Sequence, residues 1–198
     1  MAANRIGIIG NGNVGSALAR GLKRAGREVR AVGSERQAVR DTAAWADTVI
    51  IAVPFGAVDD VVRTASDALE GKTVVDVTNA LDEKMNLALG YSTSGAEELQ
   101  KKLPRARVVK AFNTVFAKHM DDGKLGDEPL TAFAAGDDAT AKADVLALER
   151  AIGFDAIDAG PLRNARLLEP LGYLNIQLGY GLKMGTDTGF KLMHGQTA

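Results

Sequence analysis

The sequence predicts a Rossmann-type, doubly wound α/β fold: a mostly parallel sheet covered by helices, then a short C-terminal helical segment and a candidate terminal strand. Three observations lead there. Arg5-Ile6-Gly7-Ile8-Ile9 reads as an apolar strand that runs into Gly10, Gly12 and Gly15, and a helical pattern opens at Ser16-Ala17-Leu18-Ala19. Short apolar runs then alternate with segments of helical spacing as far as Ala159, the βαβ rhythm of a parallel sheet. Runs such as Thr48 to Val53 are almost continuously apolar, which suits strands buried on both faces.

In chain order, the first helix follows from Val14, Ala17, Leu18, Gly21, Leu22 and Ala25 on one face, and Gly26 ends it. A second strand at Glu28 to Gly33, a short helix at Arg36 to Ala44 and a third strand at Thr48 to Val53 come next. Val58 to Leu69 is helical, Gly71 breaks it, and Thr73 to Val77 is a fourth strand. Asn79 to Ser94 is irregular and falls where ligands bind in such sheets, at the carboxyl edge. A helix at Gly95 to Lys102, strands at Arg107 to Phe112 and Leu130 to Ala135, a helix at Ala139 to Ile152 and a strand at Asp155 to Ala159 complete the alternation. Met120 to Pro129 reads as a surface loop. Residues 1–160 form the expected dinucleotide-binding domain. Residues 161–198 form a helical segment and tail, packed on that domain or at a dimer interface. In that segment Leu167, Leu168, Leu171, Leu174, Leu178 and Leu182 make a stripe, Pro170 is expected to kink or restart the helix, and Thr188 to Met193 is the candidate strand.

Composition narrows the function classes. Apolar residues are 46% and charged residues 25% of 198, with a net charge of -1, which recommends neither nucleic acid nor an anionic membrane as a partner. Cysteine is absent and histidine is limited to His119 and His194, so disulfides are excluded and no metal site is expected. The opening Met1-Ala2-Ala3-Asn4-Arg5 carries no signal-like apolar stretch and no run reaches membrane-spanning length. A cytoplasmic protein is the expectation.

The glycine turn states its chemistry most clearly. Gly10 makes the turn, Gly12 lets backbone approach a pyrophosphate and Gly15 lets helix and strand pack closely, while the helix N-terminus between them favours negative charge. The second strand ends in Gly33-Ser34-Glu35-Arg36. A hydroxyl and a guanidinium suit a ribose 2′-phosphate and favour NADP(H). Glu35 leaves an alternative, because an acid facing the ribose would favour NAD(H). Val53-Pro54-Phe55, Asp76-Val77-Thr78-Asn79 and Phe112-Asn113-Thr114 end three further strands. Their convergence makes Phe55, Asn79 and Asn113 the candidates that face a hydride acceptor. Phe55 also reads as a core cap and Asn79 as a turn former. None is a strong acid, base or nucleophile, and hydride transfer between two rings needs alignment more than a protein acid. His119 reads as a lone exposed histidine, Asp137-Asp138 as a helix cap, and Trp45, Tyr173 and Tyr180 as packing residues with a polar tip.

With these segments placed, the chain resembles the NADP oxidoreductase, coenzyme F420-dependent family, and is similar to the NADPH domain of the STEAP metalloreductases. The resemblance is carried by Ile8 to Gly15, Val32-Gly33-Ser34, Val53-Pro54-Phe55, Asp76 to Asn79, Ser94 to Leu99, Val109 to Thr114, Gly136-Asp137-Asp138, Asp158 to Leu162 and Ala165 to Glu169. It implies NADP(H) held by Asn11, Gly12, Asn13, Val14, Ser34 and Arg36. It further implies a second ring, coenzyme F420 or a flavin such as FMN or FAD, near Phe55, Asn79 and Asn113. Glu35, Ala80 and Asn113 stand where the family commonly has arginine, proline and, in some members, histidine. Two other readings stand beside a hydride-transferring reductase: a non-catalytic NADP(H) sensor, and a reductase of a small imine or ketone. About 35 residues follow Pro161, too few for the large helical domain that the latter enzymes append.

Overall fold

The computed structural model describes residues 5–193 and 195, so His194 lies outside the described residues. Five parallel strands form the body of the sheet: β1 (Arg5–Ile9), β2 (Glu28–Val32), β3 (Thr48–Ile51), β4 (Thr73–Asp76) and β5 (Arg107–Lys110). A small antiparallel ribbon, β6 (Lys124–Leu125) with β7 (Glu128–Pro129), precedes β8 (Thr131–Gly136) and β9 (Asp155–Asp158). The sheet order is β2-β1-β3-β4-β5-β8-β9, with β8 antiparallel to β5 and parallel to β9. The chain winds outward from β1 to β2 and then crosses back to β3 on the other side of β1. That reversal is the topological switch point, where a crevice opens beyond the strand ends.

Side-chain alternation along the strands sorts the core into two layers. Ile6, Ile8, Ile50, Val75 and Val109 pack under α1 (Asn13–Arg24) and α5 (Ala139–Ile152). Ile9, Val49, Ile51, Val74 and Val108 pack under α2 (Arg36–Trp45), α3 (Val58–Leu69) and α4 (Gly95–Lys102). The chain is thus doubly wound, as the alternation predicts. Ser94 and Asp138 cap α4 and α5 by accepting from the backbone N–H groups of Glu97 and Ala141. Asp137 instead accepts from the Leu162 N–H at 2.8 Å.

Other expectations change as well. The stretch at 120–129 is not only surface loop: Met120 is 2% exposed and the β6–β7 ribbon follows it. Tyr180 is an exposed ring whose packing is one edge-on contact with Phe116, 5.6 Å between centroids. The tail forms no strand at Thr188 to Met193. Its Phe190 carbonyl accepts from the Thr131 N–H and its Leu192 N–H donates to Thr131 Oγ1, beside the part of β8 that β5 does not reach.

The largest change is in α6 (Ala165–Ile176), which runs continuously through Pro170 and passes into a π-turn at Gln177–Gly181. Its buried face is Ala165, Leu168, Glu169, Gly172 and Asn175, whereas Leu167 is 67% and Leu174 49% exposed. The leucine stripe therefore does not set the helix's orientation. The buried face combines Leu168 with polar contacts, Glu169 accepting from the Gly95 and Ala96 N–H groups and Asn175 donating to the Thr114 carbonyl.

Candidate functional site

The glycine turn has the close contacts that its spacing predicts. Gly10 has φ +112°, and a Cβ there would lie 2.2 Å from the Ala52 carbonyl oxygen. A Cβ at Gly15 would lie 1.8 Å from the Gly10 oxygen, so α1 and β1 approach closely only without a side chain. A Cβ at Gly12 would meet nothing within 4 Å. Gly12 is also the N-cap of α1, no side chain caps that end, and no acid lies in its first turn. An anion can therefore reach the open backbone donors of the N-terminus without displacing a protein group.

Two cavities flank this N-terminus and share Gly12, Ala52, Val53 and Pro54. The first, about 380 Å³, is bounded by Gly10, Asn11, Gly33, Ser34 and Arg36. Glu35 does not line this cavity. Its carboxylate turns away to cap α2, accepting from Gln37 N–H at 2.9 Å and Ala38 N–H at 2.6 Å. Those bonds, Ala38's foremost, hold it below the usual carboxylate range. Ser34 and Arg36 line the cavity and Glu35 does not.

The second cavity, about 850 Å³, is lined by Asn13, Val14, Phe55, Thr78 and Asn79, with Leu81, Asp82, Glu83, Met85, Ala88 and Ile176 closing the far side. Phe55 lines the crevice and also packs against the second core layer. Val53 and Pro54 belong to both cavities. Asn113, expected at the crevice, is instead 5% exposed and does not line it. Its amide donates to Asn79 Oδ1 at 2.9 Å and to the Leu168 carbonyl at 2.8 Å, while Asn79 Nδ2 returns a bond to the Asn113 carbonyl at 3.1 Å. Asn113 thus orients Asn79 and ties it to α6. Gly172 makes the approach possible, since a Cβ there would lie 2.6 Å from Asn79 Oδ1. His119 is 6% exposed, not a free surface histidine, and its Nε2 lies 2.9 Å from the Thr186 carbonyl.

Beneath Thr78 and Asn79 sits a buried ionic group that sequence reading missed. Lys110 Nζ lies 3.0 Å from Asp76 and 2.9 Å from Glu169, all three side chains at most 2% exposed, and it also donates to the Thr78 carbonyl. Burial opposes the lysine's charge, and the two carboxylates outweigh burial and raise its pKa. Glu169 also accepts from Gly95 N–H at 2.9 Å and Ala96 N–H at 3.2 Å, at the N-terminus of α4. A charged residue inside an otherwise apolar strand, Val108-Val109-Lys110-Ala111, is the only sequence signal for it. The far-side residues Leu81 to Ala88 and Ile176 were equally hidden, because loop path and helix docking bring them there.

An uncapped helix N-terminus behind a glycine turn, at the switch point of a parallel sheet, defines a dinucleotide-binding protein of the Rossmann class, and the open Gly12 fits a pyrophosphate. The chain matches the model of the NADP oxidoreductase, coenzyme F420-dependent family over residues 5–44 and 33–80. It is similar to the F420-dependent NADP reductase of Methanothermobacter marburgensis, 32% identical over 70% of this chain and 65% of that one. It is also similar to metalloreductase STEAP3 of Rattus norvegicus, 30% identical over 85% of this chain and 36% of that protein. The chain therefore spans only about a third of the length of that metalloreductase. A crystal structure of a putative F420-dependent NADP reductase from Arthrobacter sp. FB24 superposes with a TM-score of 0.88, at 28% identity, over 97% of this chain and 100% of that one. Among the described residues no helix is long and apolar enough to cross a membrane.

Proposed function

We propose that this oxidoreductase transfers a hydride between NADP(H) and the ring of a flavin or deazaflavin, coenzyme F420, FMN or FAD among them, acting in the cytoplasm. The observation that carries the reading is the pair of joined cavities around one uncapped helix N-terminus, the first lined by Ser34 and Arg36 and the second by apolar walls. In this reading Gly10, Asn11, Gly12, Asn13, Val14 and Gly15 cradle the diphosphate, and Ser34 and Arg36 hold the 2′-phosphate. Val53, Pro54 and Phe55 wall the nicotinamide half, and Asn79, held by Asn113, positions the nicotinamide amide or ribose.

NADP(H) supplies the hydride chemistry. The chain's own part is to hold the dinucleotide extended, to align the reacting ring against Phe55 and Asn79, and to exclude bulk water with the 81–88 loop and α6. The acceptor's second hydrogen arrives as a proton from solvent at the open side of the crevice. Residues 1–160 are the nucleotide-binding domain and 161–198 its covering segment in this proposal, and the outward leucines of α6 are the surface through which two copies would pair. The test is purified protein with NADPH or NADH, offered F420, FMN, FAD or riboflavin, followed by loss of reduced-nicotinamide absorbance. Turnover with NADPH is expected. Tight NADPH binding without turnover would make the protein a sensor, and faster turnover with NADH would overturn the assigned roles of Ser34 and Arg36.

A further inference from the structure

Strands β4 and β5 stop together at Asp76 and Lys110, which are direct partners in the parallel register. One residue on, Val77 N–H still reaches the Ile51 carbonyl at 3.4 Å, and Ala111 N–H the Asp76 carbonyl at 3.1 Å. At Thr78 two side chains take over from the sheet: its N–H donates to Asp76 Oδ1 at 2.9 Å, and its carbonyl accepts from Lys110 Nζ. One cross-strand pair thus holds both main-chain polar groups of the residue before Asn79. Three residues beyond that pair on each strand stand Asn79 and Asn113, joined by two hydrogen bonds. The second chain is turned there at Phe112, whose φ of +62° a bulky residue keeps only where its surroundings fix it. Phe112 is fully buried and meets the Phe154 ring edge-on, 6.0 Å between centroids. From α6, Glu169 braces Lys110, and the Leu168 carbonyl one residue earlier accepts from Asn113.

We infer that Lys110 is a positioning residue for the nicotinamide: through the Thr78 carbonyl it fixes the backbone that carries Asn79, and so sets how firmly the ring is held. The inference rests on the proposed placement of the nicotinamide against Asn79. Apolar residues fill the neighbouring buried positions Val74, Val75, Val108 and Val109, and a buried ionic group generally contributes no more stability than well-packed apolar side chains of the same volume. What the charges add is direction. The ammonium has three N–H bonds and three acceptors, Asp76, Glu169 and the Thr78 carbonyl, so its place and theirs are fixed together. Glu169 carries the tie on to the Gly95 and Ala96 N–H groups of α4. Lys110 is itself 0% exposed, so it touches neither the dinucleotide nor an acceptor and works through the residues it holds.

Lys110→Met alone strands two buried carboxylates, so the test removes all three charges together: Asp76→Asn, Lys110→Met, Glu169→Gln. The amides at 76 and 169 keep oxygens for the Thr78 and α4 N–H groups, while the Thr78 carbonyl loses its ammonium. This charge-free variant is expected to fold. By isothermal titration it should bind NADPH within about threefold of the unsubstituted protein, because the phosphate contacts lie apart from the cluster. Time-resolved fluorescence anisotropy of the bound NADPH reads how freely its reduced ring turns within the complex. In the unsubstituted protein the ring is expected to turn only with the whole molecule. Asn79→Ala and the charge-free variant should each add a fast component, with amplitudes equal to within about twofold, and the two combined should add no more than either alone. A charge-free variant that folds and binds but keeps the ring still overturns the inference and leaves the nicotinamide's placement standing, as does a combined effect that is the sum of the two. Failure of that variant to fold makes the cluster structural and overturns the inference as well. A ring unmoved by Asn79→Ala, or already free in the unsubstituted protein, removes the placement itself and the inference with it.

Discussion

Lys110 and Glu169 meet at 2.9 Å inside the protein, and that ion pair joins the strand end under the crevice to the C-terminal helix. With Asp76 on the lysine's other side, each charge depends on the others for the solvation it has lost. Lys110→Met leaves two carboxylates buried without their cation and is expected to destabilise the fold by roughly 3–5 kcal/mol. Urea unfolding with tryptophan emission from Trp45 measures it. A loss under about 1 kcal/mol would mean that water reaches the cluster.

Gly12 and Gly15 should respond to alanine in opposite ways. At Gly15 the new methyl meets the Gly10 carbonyl oxygen, so Gly15→Ala is expected to lower thermal stability even without nucleotide. At Gly12 the new methyl meets no protein atom and the backbone is extended, so Gly12→Ala should keep its melting temperature and lose NADPH affinity at least tenfold. Equal melting temperatures for both variants would contradict the close approach of α1 to β1.

Arg36 and Glu35 are neighbours with different expected roles. Arg36→Ala should weaken NADPH at least tenfold and leave NADH nearly unchanged, because only the former carries the 2′-phosphate. Glu35→Ala removes a helix cap and should lower stability without changing the NADPH to NADH ratio. Isothermal titration with both nucleotides decides. An equal loss for the two nucleotides in Arg36→Ala would take that side chain off the 2′-phosphate.

Glu149 on α5 makes stability depend on pH. It is 0% exposed, neither carboxylate oxygen has a hydrogen-bond partner among the described residues, and burial pushes its pKa up from 4.5 to about 8. Between those two values the unfolded chain has released a proton that the folded chain retains. Stability is therefore fully present below about pH 4.5 and falls as pH rises towards 8, by up to roughly 1.4 kcal/mol per pH unit. Glu149→Gln removes this slope, so its stability advantage should be small near pH 4.5 and grow up to pH 8. A difference that stays constant across that range, measured by urea midpoints, would show that the carboxyl titrates normally.

The helices Val58–Leu69, Gly95–Lys102 and Ala139–Ile152 were readable to the residue because spacing and caps are local. The glycine turn was readable for the same reason, Gly10 and Gly15 each answering a contact a few residues away or across one strand. The misplacement of Asn113 has a different origin. Its position at a strand end is local, but its partners Asn79 and Leu168 lie 34 and 55 residues away. The same holds for α6, whose leucine periodicity suggested one buried face while Glu169 and Asn175 found partners that buried another. Asp82 and Glu83 reach the crevice through the path of an irregular loop, which no periodicity encodes.

Gly172 lets α6 touch Asn79 and Asn113 with bare backbone, and Leu167 and Leu174 point outward from the same helix. At that contact no side chain of residue 172 stands between the helix and the two asparagines. A displacement of Asn79 towards α6 therefore bears directly on the backbone of the helix that carries the outer leucines. Whatever rests on those leucines is mechanically one helix diameter, about 10 Å, away from the dinucleotide's place. The crevice and the exterior are two faces of one stiff wall.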